Sequence, residues 1–492
     1  MSEGVIPRRE VLRHRVTRIS WRDRDMVRTA LGPRKNEKTP NARWVMALAC
    51  LGSFCVVLDA TIVSVTLPQL RRDLGFTDAA LPWAVNAYTL AFAGCLLLGG
   101  RCVDVFGLRR AMMIGTTLFT VAMAVAGLAQ SPAMLLAARA VQGFGAALLM
   151  PVTLSLMTTT FVEHAARARA LALLSAVGAM GASSGPLIGG ILTQLAGWRW
   201  VFLVMVPLGV VCVVGAAVVL NGRVRGQRRP RLDVPGALLA TTGVAGVVSA
   251  IMRSSEVGWV AASVLGSLLS GVAALGIFVV HQAKWARDPL LALEIFRLRS
   301  VTGANLVIFL LGLGFFANPV LLSLYLQDVH GFSPLMAGVG YLPAGVAMVA
   351  GARSAGWLTV RIGPRRAAAS CCGLGVLGAA MIGTGMAMGA SYLWSVALPG
   401  VVFGFGASAA FTPLTVSATQ GVSAERNGLA AGVLNTVRQT SGAVGLAVLS
   451  SVTLAAGYSA AFLACAGCMA GACALALLAM PRTSALTQQG VE

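Results

Sequence analysis

The run WVMALACLGSFCVVLDATIVSVTL, residues 44–67, decides how this chain is read. A helix needs about 20 residues to cross roughly 30 Å of hydrocarbon, and this run is long enough. It carries one acid, Asp59, among apolar neighbours. An ionisable residue at membrane depth costs about 2.5–3.5 kcal/mol on insertion scales, so its presence points to function.

Comparable runs follow along the chain. They lie near residues 81–101, 110–129, 132–156, 168–191, 200–221, 234–252, 259–281, 302–326, 334–360, 366–388, 392–415, 428–454 and 458–480, which with the first makes fourteen expected spans. The composition agrees: 57% of residues are hydrophobic and 11% charged, with a mean hydropathy of +0.80. Soluble chains carry about 25% charged residues, so this one cannot coat a globular surface with charge. The expected fold is an all-α polytopic membrane protein with both termini in the cytoplasm.

The net charge of +21 is read through topology rather than as a nucleic-acid signature. Lys and Arg concentrate in cytoplasmic loops. With the N-terminus inside, the inner segments hold 31 of the 38 Lys and Arg residues, and the outer loops hold Arg71, Arg72, Arg199 and Arg253. Arg139, Arg353 and Arg438 fall within spans. No nucleic-acid partner is expected. The surroundings are membrane lipid, and the near absence of Lys beside abundant Arg, Ala, Gly and Val reads as the codon bias of a GC-rich bacterial genome. A multi-pass protein of a bacterial plasma (inner) membrane is expected.

The organisation reads as a basic cytoplasmic tail (1–43), six spans (44–221), a cytoplasmic loop (222–233), two extra spans (234–281), a second loop (282–301), six more spans (302–480) and a short tail (481–492). Six-span halves are a common transporter repeat. The basic tail has three open readings: a helix on the inner leaflet carried by Leu12, Val16 and Ile19, a disordered tail, or a start site placed too early, since Met26 and Met46 are in frame. It has no apolar h-region, so it is not read as a cleavable signal.

Several groups stand out as candidates. Asp59 lies about fifteen residues, or ~22 Å, from the inner end of its span, and Arg139 about seven residues, or ~10 Å, from the outer end of span four. Both therefore sit at similar depth, and the expectation is that they face one cavity and bias each other's charge. The competing reading is a static pair that fixes packing. Asn435, Arg438 and Gln439 put a polar face on span thirteen, which lines a cavity or forms an interhelical hydrogen-bond cluster. Gly181, Gly185 and Gly189, with Pro186 and Gly190 beside them, make a stripe on span five where another helix can approach closely. Gly100, Asp104, Gly107, Arg109 and Arg110 between spans two and three suit a charge latch at helix ends.

Other patterns carry no chemistry. Gly181-Ala182-Ser183-Ser184-Gly185 fits GxSxG without a strand–turn–helix context. Gly373 to Gly378 fits GxGxxG inside a span. The pair Cys465 and Cys468 lies in an apolar run, and the four histidines (His14, His164, His281, His330) form no metal-spaced pair. No catalytic residue, metal site or cofactor is expected. Without an ATPase domain, any pumping would draw on an ion gradient.

In this order and on these spans the motifs resemble those of the major facilitator superfamily, specifically the fourteen-span drug:H+ antiporter-2 family (the EmrB/QacA type). The resemblance covers about Trp44 to Met480. It rests on Leu58 to Pro68, Gly100 to Arg110, Arg139-Ala140-Val141-Gln142-Gly143-Phe144-Gly145, Gly181 to Gly190, Trp198-Arg199-Trp200-Val201-Phe202 and Asn435-Thr436-Val437-Arg438-Gln439. Ser64 stands where that family usually has Asn, Leu108 where it has a basic residue, Met205 where it has Asn, and Val360 where an acid is usual.

The resemblance implies alternating access between two six-helix halves of a monomer, with protons exchanged for a small amphiphilic drug, antibiotic or natural product. It implies that Asp59, Arg139 and Gln142 serve proton coupling or substrate, that Asp104, Arg109 and Arg110 gate the inner face, and that the span-five glycines seal or hinge the halves. Two other classes remain open from the sequence: an importer or facilitator on the same fold, and a membrane enzyme or scaffold.

Overall fold

A computed structural model describes residues 42–161, 163–220, 233–286, 289–291, 293–420, 422 and 427–481. The basic tail up to residue 41, most of the 222–233 loop, the 482–492 tail and the Asp104 side chain lie outside the described residues.

Among the described residues, thirteen helices are long and apolar enough to cross a membrane. They are α1 (Ala42–Leu74), α2 (Trp83–Val103), α3 (Leu108–Gly127), α4 (Pro132–Thr160), α5 (Arg169–Ala196), α6 (Arg199–Val219), α7 (Val234–Ser254), α8 (Ala262–Trp285), α9 (Arg299–Asp328), α10 (Pro334–Ile362), α11 (Pro364–Ala387), α12 (Leu393–Thr419) and α13 (Ala430–Ala479). Each of the first twelve expected runs falls on one of these helices. The last two fall on the two arms of α13, a 50-residue helix broken at Gly457, where φ is 85° and ψ 173°. Only glycine adopts that conformation without strain.

Helix α1 runs past its expected end. A 3-10 turn at Val63–Thr66 joins its long arm to the short Leu67–Leu74 arm. Pro68 has no N–H to return to the Ser64 carbonyl, and the hydroxyls of Ser64 and Thr66 donate to Thr61 O and Val63 O at 2.7 Å each. Both effects tighten the turn. Leu67 and Leu70 are buried on this arm, so Arg71 and Arg72 sit on a helix rather than in a loop.

The helices pack in two groups. In the first, α1 packs on α4, α5 and α6, and α4 packs on α2 and α3; in the second, α13 packs on α9 and α11, and α12 packs on α10 and α11. The groups meet along α5 with α10 and along α2 with α13. Helix α7 packs against both α2 and α13, through Leu90, Val248, Met252, Ala443 and Ala447, and α8 packs on α7. The two extra helices therefore stand outside one seam between the groups.

Candidate functional site

The site grows from the start of α4. Ser131 caps it by accepting from Met134 N at 3.3 Å, and Pro132 occupies the first turn, where its missing N–H is not needed. Arg139 and Gln142 then fall on one face, three residues apart. One residue further on, Gly143 lets α4 close on α2: a Cβ there would overlap Tyr88 O. Gly145 does the same against α3, meeting Phe119 N at 2.7 Å.

That close packing assembles a sealed charge cluster from four helices. Arg139 Nη1 donates to Asp59 Oδ2 of α1 at 2.7 Å and to Gln142 Oε1 at 2.9 Å, while its Nε donates to Ala84 O of α2 at 2.9 Å. The guanidinium carbon lies 4.5 Å from the Tyr88 ring centroid and 5.9 Å from that of Phe202 on α6. Tyr88 is itself fixed by donating to Val56 O at 3.2 Å. The side chains of Arg139 and Asp59 are 0% and 1% exposed.

Removing two charges from water costs several kcal/mol per ion, and the attraction repays this only when further hydrogen bonds satisfy both groups. Here satisfaction is incomplete. Asp59 Oδ1, Arg139 Nη2 and Gln142 Nε2 are buried without a hydrogen-bond partner among the described residues. One carboxylate oxygen of Asp59 is thus uncommitted. The sequence reading placed Asp59 and Arg139 on the wall of one cavity; the structure puts them in direct contact, buried between helices, with Gln142 joined to them.

The polar face of α13 lies apart. Asn435 is exposed, and Arg438 and Gln439 are half-buried. Arg438 lies against Phe411 of α12 and Phe316 of α9, with its guanidinium carbon 4.4 and 5.4 Å from the ring centroids. No hydrogen bond or ion pair joins these residues to the Asp59 cluster among the described residues.

The glycine stripe of α5 packs on α1. A Cβ at Gly181 would sit 3.2 Å from Leu58 N; at Gly185 it would overlap Thr61 Oγ1, and at Gly189 it would lie 2.7 Å from Val65 Cγ2. The stripe thus binds helices of one group rather than joining the two. The seam with α10 is made beside it: Gly190 meets Pro334 O, and Gly338 of α10 meets the Pro186 carbonyl. Towards the other end of these helices the seam widens into an apolar groove of about 420 Å³, lined by Ser183, Ser184, Leu187, Val346 and Arg353.

Between α2 and α3, Gly107 takes φ 79° and its N–H closes on Val103 O at 2.9 Å. Arg109 Nη2 donates to Ala217 O in the last turn of α6 at 2.8 Å, where the helix dipole favours a cation. This contact joins helix ends within one group; the acid of the expected charge latch, Asp104, has its side chain outside the described residues. Gly100 has open space around it and Arg110 is exposed.

At the opposite end the groups are tied by polar contacts that the sequence did not reveal. Arg71 bridges Asp78 at 2.7 Å and Asp328 of α9 at 2.9 Å. Gln327 Nε2 donates to Val65 O at 3.1 Å, and Leu335 N to Gln194 Oε1 at 3.4 Å. Below them, Trp198 Nε1 donates to Asp73 at 2.9 Å. The ring partners Tyr88, Phe316 and Phe411 also escaped the reading, since an aromatic residue in an apolar span carries no local mark, and Phe202 was noted only as part of a motif. Tyr88 had one signal: Asn86 and Tyr88 are polar groups in a lipid-depth run.

A scan against family models matches residues 49–446 to the Major Facilitator Superfamily. The chain belongs to this superfamily. It is a multi-pass membrane transporter, not an enzyme. This superfamily member is 42% identical over 429 residues to the cephamycin export protein CmcT of Amycolatopsis lactamdurans, with 87% of this chain and 88% of that protein covered. It is 35% identical to the puromycin resistance protein pur8 of Streptomyces alboniger, with 86% and 84% covered. Its fold resembles the crystal structure of the human organic anion transporter MFSD10 (TETRAN), with a TM-score of 0.60, 20% identity, and 89% and 100% covered. At that identity the likeness concerns the fold alone.

Proposed function

We propose that this transporter is a proton-coupled antiporter of the drug:H+ antiporter-2 type, which exports small amphiphilic drugs, antibiotics or related natural products by alternating access. It would work as a monomer in a bacterial plasma membrane. The observation that carries the reading is the sealed Asp59–Arg139 pair, an ionisable couple at membrane depth that joins α1, α2, α4 and α6. The names of the relatives, which speak of antibiotic export and resistance, support the direction of transport.

Two arms of α13 separated at Gly457 support a count of fourteen spans, arranged six, two and six with both termini cytoplasmic. The contacts at Arg71–Asp328 and Pro186–Gly338 would then close the outer end, while the α5–α10 seam opens towards Arg353. A proton taken up by Asp59 neutralises the pair and frees Arg139, which lets α4 shift against α1 and α2. Returning that proton to the inside restores the pair. One charge crossing 100 mV is worth about 2.3 kcal/mol, roughly a 50-fold gradient of substrate per proton.

The test is dye efflux in energised everted membrane vesicles, with wild type beside Asp59→Asn. Proton antiport predicts that an imposed ΔpH drives dye movement and that the variant loses it. Equal movement in both, indifferent to collapse of ΔpH, would overturn the coupling. Movement driven by ΔpH in the opposite direction would mark an importer.

A further inference from the structure

The two arginines deep in the helices have opposite surroundings. Arg139 is neutralised by Asp59 and uses its donors on Asp59, Gln142 and Ala84 O. Arg438 has no hydrogen-bond or ion-pair partner among the described residues, although its guanidinium has five N–H donors. The second group of helices offers it none at its own depth: between residues 299 and 479 the acids are Asp328 and Glu425 alone, and Asp59 of the first group is taken by Arg139. Asp328 is at the far end of α9 and engages Arg71. Glu425 precedes α13 and lies outside the described residues, whereas Arg438 stands eleven residues into the helix that begins at Asn427, or ~16 Å along it.

The surroundings instead present flat apolar walls. Phe411 and Phe316, whose centroids are 6.1 Å apart, lie together against the guanidinium, and Phe315 braces both rings, at 5.1 Å from Phe316 and 5.0 Å from Phe411, centroid to centroid. This geometry is built by close helix packing. A Cβ at Gly442 would come within 3.0 Å of the Phe316 side chain, and one at Gly312 would overlap Ser441 Oγ, which donates to Arg438 O at 2.7 Å. A ring attracts a guanidinium through its π face without accepting the in-plane N–H bonds, and no hydrogen bond uses the Arg438 donors among the described residues. Arg438 is half-buried rather than sealed, and Asn435, one turn earlier on the same face, is exposed.

We infer that Arg438, with Phe316 and Phe411, is a subsite for the carboxylate of an amphiphilic substrate that carries an aromatic or apolar body. A cation without a counter-charge at this depth is compensated by a mobile oxyanion, and the planar donor edge matches a carboxylate. The rings then receive the apolar body beside it. The inference rests on the export reading and names one class of cargo for it. The same donors would take the phosphate of an acidic lipid, which the experiment separates.

The experiment uses the full chain in phosphatidylcholine nanodiscs with no gradient. Calorimetry compares 2-naphthylacetate with its neutral amide, 2-naphthylacetamide. Wild type is expected to prefer the acid by at least about tenfold. Arg438→Gln abolishes the preference, and Arg438→Lys keeps part of it. Equal binding of acid and amide by wild type would overturn the subsite, as would an undiminished preference in Arg438→Gln. A preference in wild type that disappears when the nanodiscs contain phosphatidylglycerol would assign the site to lipid phosphate and overturn the cargo. Because binding is read without ΔpH, a failure of proton coupling leaves this result untouched.

Discussion

Replacing Asp59 by Asn removes one charge from a pair whose side chains are 1% and 0% exposed. Deleting one partner of a buried pair destabilises by about 3–5 kcal/mol, because the other charge is left uncompensated. The Asn amide oxygen still accepts from Arg139 Nη1, which returns about 1 kcal/mol. The expected loss is therefore roughly 2–4 kcal/mol. Adding Arg139→Gln removes the orphaned cation, so the double variant should be more stable than Asp59→Asn alone by about 1–3 kcal/mol. Neither variant should restore ΔpH-driven transport, since neither holds a titrating carboxylate. The assay is thermal unfolding in detergent by tryptophan fluorescence, paired with dye movement in everted vesicles. A double variant no more stable than Asp59→Asn would refute the charge argument. Full ΔpH-driven transport by Asp59→Asn would refute the proton role.

Gly185→Leu drives a side chain into Thr61 and Ile62 and should sharply lower the yield of folded protein, whereas Gly178→Ala, whose Cβ would meet nothing nearer than 4.0 Å, should be neutral; size-exclusion profiles of both decide. Arg71 is 34% exposed, so its bridges to Asp78 and Asp328 are worth about 0.2–1 kcal/mol. Arg71→Ala should raise thiol labelling of a cysteine placed at Gln327 by up to about fivefold, less at high salt. Burial works to raise the Asp233 pKa, but hydrogen bonds from His281, Gln282 and Gly236 N outweigh it and hold the carboxyl below its ordinary value. A depressed carboxylate stabilises above its unfolded pKa of about 3.9 and loses that effect as pH falls through its folded value. Asp233→Asn should thus lower the melting temperature at pH 7 and converge with wild type in strong acid, as measured by thermal unfolding across pH.

What the sequence determined follows from the solvent it is built for. A bilayer demands about 20 apolar residues per crossing and penalises every charge at depth. The helices, their order, the break near residue 457 and the exceptional status of Asp59, Arg139 and Arg438 were therefore legible from local composition. The glycine spacing on α5 was legible as a close approach, since 3.6-residue periodicity puts Gly181, Gly185 and Gly189 on one face. Its partner was not: contact with α1 rather than with the second group of helices depends on long-range packing. The same limit hid which arginine is neutralised. Asp59 and Arg139 are 80 positions apart, and only the closure of α4 onto α1 and α2 makes them an ion pair. Arg438 sits in an equally apolar run, but the rings that flank it come from α9 and α12, and no local pattern records that meeting. Tertiary structure decided these points because hydrophobicity selects what is buried without selecting its neighbours, while a guanidinium's chemistry depends on its neighbours.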